Sequence, residues 1–283
     1  MSKLSPALKG LINAPFARPG QSPAPANIKS VYERIAREAS LKNYGRNPWL
    51  TLSAAATFTL NSPDALHSLF QVSQSQKSHT PKEAAELIRE VGLKCISFNG
   101  IPRTINCLGA FRSGLDDTVL EQLETRPSRT VDARNVEAVA KRGRELWESI
   151  YVPFDGKLIE RLSESHPDLP VHILGSHYGP LLADPDAGER NGLASVGRGL
   201  TSVVAIACLR AQTGVGPQVL SHVFGLRKAV EQGLHQSEAE EDVEGIEKLA
   251  TDEGCEWILR SVDSIAGAIG GSFAQGVGRE SKL

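Results

Sequence analysis

Net charge, paired cysteines and long apolar runs are all scarce in this sequence. Its 31 Lys and Arg nearly balance 33 Asp and Glu, leaving a formal charge of −2 over 283 residues. No basic stripe with interleaved aromatics occurs, which removes the footprint of a nucleic-acid binder. No apolar run approaches the roughly 20 residues that span a bilayer, so a soluble protein with no membrane partner is expected. The four cysteines, Cys95, Cys107, Cys208 and Cys255, show neither the spacing of a CxxC redox pair nor that of a zinc site. Reduced thiols inside a cell follow from that pattern. Aromatic residues are only 5% of the chain, while Ala and Leu are abundant, which favours helices over an aromatic-rich sheet. With no convincing alternating strand pattern, the expected fold class is all-α.

What is present centres on 199–230, GLTSVVAIACLRAQTGVGPQVLSHVFGLRKAV. Val203, Val204, Ile206, Ala207 and Leu209 make an almost all-round apolar helix, and Gly214, Gly216 and Pro217 break it. Val219, Leu220, Val223, Phe224, Leu226 and Val230 then recur at helical spacing, which puts His222 near a helix start, where the dipole disfavours the imidazolium. Segment 48–71 repeats the design, running through Asn61-Ser62-Pro63 to a second helix bearing His67. An internal repeat is expected.

The chain divides accordingly. Residues 1–29, with prolines at 6, 15, 19, 23 and 25, form an extended arm in this reading, because proline forbids a continuous helix. Residues 30–153 are a first half, ending at Tyr151-Val152-Pro153, and 154–273 a second half. Within the first, Thr80-Pro81-Lys82-Glu83 reads as a capping box. In the second, 166–191 reads as loop, 238–247 as a solvated acidic helix face, and 246–270 as one long final helix. Residues 274–283 are a tail whose last three residues, Ser281-Lys282-Leu283, match a receptor-read peroxisomal address. A peroxisomal matrix location is expected, with the peroxisomal import receptor as a partner.

These residues carry a resemblance. The order His177-Tyr178-Gly179-Pro180-Leu181-Leu182, the apolar 200–211 helix, then Ser221-His222-Val223-Phe224-Gly225, together with Phe98, Gly100, Pro102 and Asn106, resembles the carboxymuconolactone decarboxylase and alkyl-hydroperoxidase-D-like superfamily, in its two-half fungal peroxisomal form. The resemblance implies a helical bundle of two similar halves, a homo-oligomer and a small-molecule substrate. It does not carry over the peroxidase dithiol. Counting back from His222, Gln218 and Val215 fall where the cysteines belong, and counting back from His67 gives Pro63 and Leu60. The decarboxylase branch therefore implies cofactor-independent acid/base chemistry on a small carboxylate or lactone.

His222 is the first candidate for that role, His67 the second, and His177 with Tyr178 a polar pair near the pocket. Each also reads as a packed residue bonded to its surroundings. Arg103 and Asn106 are candidates for substrate binding, the former through its planar fork. Cys95 and Cys107 flank the Gly100–Pro102 turn and read first as two small buried residues; an approach of the two in space is the alternative that leaves open a thiol route. His166, His172 and His177 lack a carboxylate at ligand spacing, so no metal is expected. The Gly-rich strings follow no strand, so no nucleotide or other cofactor is expected either. A noncatalytic ligand- or partner-binding protein is the remaining alternative.

Overall fold

The computed structural model describes residues 3–270, and Ser281-Lys282-Leu283, the tripeptide read above as an address, lies outside them. Among the described residues the structure is helical and has no strand. The arm is not extended throughout, since α1 (Pro6–Ile12) starts on a Ser5 cap with Pro6 in its first turn.

Two helices buried on every side form the centre, α3 (Arg46–Thr59) and α12 (Arg198–Gln212), which pack on each other. Between their polar ends, 48–59 of α3 and 199–209 of α12 hold only apolar residues, Gly, Ser and Thr, the composition of helices surrounded by others. Each folds back into a partner through a left-handed turn. Asn61 (φ 53°) leads to α4 (Pro63–Ser75), and Thr213 and Gly214 (φ 64° and 73°) lead to α13 (Gly216–Glu231). Proline in the first turn of α4 and α13 lacks the N–H that a helix start leaves unpaired.

Around this pair lie α2 (Ile28–Leu41), α5 (Pro81–Lys94), α7 (Ile101–Ser113) and α15 (Asp252–Ile269). α5 opens on the expected box: Glu83 N–H donates to Thr80 Oγ1 at 3.2 Å and Thr80 N–H to Glu83 Oε2 at 2.8 Å. α9 (Val136–Tyr151), N-terminal to Pro153, packs against α13 and against a π-helix, Ile173–Leu182. The approach to the π-helix is close because both sides are glycine: a Cβ on Gly143 would stand 2.5 Å from the nitrogen of Gly179.

Three expectations change. The 166–191 segment is not mainly loop, since it holds α11 (Leu169–His172) and the π-helix, whose wide turn carries Pro180 internally. The final helix is two, α14 (Glu240–Leu249) and α15, because Thr251 starts a new helix by accepting from Gly254 N–H at 3.2 Å. The acidic stretch is not all solvated. Glu238 accepts from the N–H groups of Gly199 and Leu200 at 2.7 and 3.0 Å, and Asp242 from Asn47 N–H and Nδ2 at 3.1 and 2.5 Å. Carboxylates that the sequence pattern turns outward thus cap both central helices.

Candidate functional site

A cavity of about 780 Å³ lies between α9, the π-helix and α13. α13 brings His222 and Ser221 to its wall, α9 brings Trp147 and Tyr151, and the π-helix brings His177 and Tyr178. From the first part of the chain α6 (Ile96–Asn99) adds Ser97 and Phe98. Three of the histidine and tyrosine candidates, His222, His177 and Tyr178, therefore share one chamber.

The chamber has an aromatic frame. Trp147 lies tilted at 43° to Tyr151 with centroids 4.2 Å apart and meets Tyr178 edge-on at 5.1 Å, while Phe98 and Tyr151 meet the His222 ring edge-on at 6.0 and 6.3 Å. Tyr178 donates its hydroxyl to that of Tyr151 at 3.2 Å. Burial pushes both phenols above their ordinary range, so both stay protonated. His177 Nδ1 pairs with Ser97 Oγ at 3.1 Å, and burial, with His172 adding to it, lowers the His177 pKa.

His222 is buried, and its Nδ1 has no hydrogen-bond partner; the indole N–H of Trp147 is in the same position. Burial first, and the charge of Arg198 second, lower the His222 pKa to about 3, so the resting imidazole is neutral. Arg198 was missed by sequence reasoning. It opens the apolar α12 run, yet it is buried, and its fork donates to Ser149 Oγ and Ser202 Oγ, both at 2.7 Å, and to the Gly225 carbonyl at 2.9 Å. All of these acceptors are uncharged. Burial lowers its pKa to about 10, which still leaves a cation at neutral pH. A charged residue at the head of an otherwise apolar helix was the signal that could have revealed it.

The other candidates lie elsewhere. His67, on α4, packs beside Phe111 at 6.1 Å with its Nδ1 buried and unpartnered, and Gly114 makes room for its ring. Arg103 donates to the Thr59 carbonyl, and Asn106 Nδ2 lies 3.4 Å from Asn61 Oδ1, at the turn between α3 and α4. Neither lines the His222 chamber. Cys95 and Cys107 do not pair: Cys95 Sγ meets Cys208 Sγ at 3.5 Å, whereas Cys107 faces Asn61. α5 runs into α6 at Cys95, which aims that thiol at α12 rather than across the turn. Both are buried, burial raising Cys107 to about 12 and Cys95 well above its usual range, conditions that disfavour the thiolate. His172 Nδ1 pairs with Ser176 Oγ at 3.2 Å and His166 Nδ1 accepts from Asp168 N–H at 3.1 Å. Among the described residues no group of three or more metal-ligating side chains is gathered, and no helix is long and apolar enough to cross a membrane.

No protein-family model matches the chain, and no solved structure matches it. Among curated proteins it is similar to Peroxisomal protein 2 of Saccharomyces cerevisiae, with 26% identity over 178 residues. That match covers 56% of this chain and 59% of the yeast protein, so the chain spans less than two thirds of the length of its relative.

Proposed function

We propose that this chain is a peroxisomal matrix protein of the two-half alkyl-hydroperoxidase-D-like kind, which takes a small carboxylate or lactone metabolite into the His222 chamber and carries out cofactor-independent acid/base chemistry on it. The observation that carries this reading is a neutral, buried imidazole on the chamber wall with a buried guanidinium behind that wall, close enough to lower the imidazole pKa and hydrogen-bonded only to uncharged acceptors. In a low-dielectric site such a cation attracts an anion strongly. A carboxylate entering beside His222 opposes the effect of Arg198 and raises the imidazole pKa, so proton uptake accompanies binding. The imidazolium formed there delivers its proton to the carbon that keeps the electron pair of the broken C–C bond as CO₂ leaves. The peroxisomal location is supported by the name of the yeast relative and by the Ser281-Lys282-Leu283 ending.

A second reading has its own observation. No group orients the ring through Nδ1, unlike the usual arrangement in which a third residue holds a catalytic base. A noncatalytic binder of the same ligands fits that fact. The two are separated by incubating the protein with a panel of keto acids and lactones and following consumption by mass spectrometry. The enzyme reading expects turnover that His222→Ala abolishes while the circular dichroism spectrum is kept. Undiminished turnover in that variant sinks it, and binding without turnover selects the binder.

A further inference from the structure

Two large aromatic rings are left open to solvent near the chamber. Phe154, where α10 (Asp155–Ser165) begins, is 67% exposed and Phe224, on α13, is 52% exposed. Both line a second cavity of about 680 Å³. Tyr151, Leu158, Arg161 and Ser221 line this cavity and the His222 chamber alike, so the two are adjoining compartments with a shared wall.

The compartments differ in charge. No Asp or Glu lines the inner one, whereas the outer wall mixes Glu160 and Glu164 with Lys157 and Lys228. An anionic group inside therefore meets no opposing carboxylate on the chamber wall. The inner space alone matches a drug-sized ligand, more than an acid of a few carbons fills. Large exposed apolar surface on the outer wall is the complement of an alkyl chain. Arg161, at the junction, makes no hydrogen bond or ion pair among the described residues, so its guanidinium is not committed to a protein acceptor.

We infer that the ligand class is the straight-chain acyl carboxylate, with the head in the inner compartment at His222 and the alkyl tail passing Leu158 and Arg161 onto Phe154 and Phe224. This rests on the reading of the His222 chamber as the ligand site. The tail gains from burial of each methylene, and the head meets no opposing carboxylate.

Titration calorimetry with straight-chain acids from butanoate to decanoate, on the full chain, tests it. Affinity rises about two- to fourfold per added methylene as buried CH₂ groups accumulate. Phe154→Ser/Phe224→Ser flattens the rise for the longer acids and leaves butanoate unchanged. Phe154→Leu/Phe224→Leu restores most of it. The exposed rings carry little of the core, and Ser at 154 is a good helix cap, so these variants fold. Butanoate binding with no dependence on chain length overturns the tail assignment and leaves the proposed function standing. No binding by any acid or lactone overturns both. If the serine pair only abolishes self-association in analytical ultracentrifugation and leaves decanoate affinity intact, the rings face a second copy and the inference is wrong.

Discussion

Protonation of His222 should be resisted by the fold, and the size of that resistance can be worked out. The ring has an ordinary pKa of 6.5 and a folded value of about 3, with burial the larger cause and Arg198 the smaller. Between those two values the unfolded chain binds a proton that the folded chain refuses, so stability rises with pH through this window and falls as acid is added. At pH 4 the loss from this one ring is about 3 kcal/mol, at about 1.36 kcal/mol per pH unit. Other buried groups titrate in the same range. Burial also lowers His79 to about 4, which acts in the same sense, while it raises Glu238 to about 7 and Asp242 to about 6, which act in the opposite sense. The difference between wild type and His222→Gln cancels those contributions. Urea unfolding from pH 7 to pH 4 should therefore show a wild-type acid limb steeper than that of the variant by about that amount. In parallel, the His222 ring signal in two-dimensional NMR should stay in its neutral position down to pH 4. Arg198→Met should move its titration upward by less than half of the gap, because burial is the larger cause. A wild-type ring titrating near 6.5, or superimposable acid limbs, would refute the reasoning.

Three further outcomes follow from the packing. Lys94 is fully buried, pairs with Asp184 at 2.7 Å and donates to the Leu182 and Val196 carbonyls at 2.6 and 2.7 Å; Lys94→Met should cost about 3 to 5 kcal/mol, read by urea unfolding, because it strands those acceptors. Gly143→Ala should destabilise by about 1 to 3 kcal/mol or more and weaken ligand binding, since the added Cβ meets the Gly179 backbone and pushes the segment carrying Tyr178 away. Cys95 and Cys208 should resist alkylation in the native protein and react at once in denaturant; fast native labelling would revive the thiol route.

The sequence made the central design legible where one residue type left one choice. Helices α3 and α12 have no polar face, so they had to be interior, and the Asn61 and Gly214 turns were marked by residues that tolerate positive φ. The Thr80 capping box was equally local. His222 was legible as a candidate by its place after the Gly214 break, though it lies in the second turn of α13 and not at the helix start, and burial and Arg198 lower its pKa; His177 with Tyr178 was legible by their motif. What failed depended on distant partners. Glu238 and Asp242 look solvated until the N-termini of α12 and α3 arrive beside them. Tyr151 and Trp147 read as a helix end before a proline, and only the packing of α9 on α13 turns them into a chamber wall. Cys95 meets Cys208, 113 positions away, a contact that no spacing rule encodes.

The capping of the two central helices sets an order on how this protein can be made. α3 is synthesised early, yet the carboxylate on its first turn comes from Asp242, and the one on α12 from Glu238. A ribosome delivering the chain from its N-terminus therefore releases α3 long before its cap exists. A nascent or truncated chain ending short of residue 238 leaves both central helix starts without their carboxylates.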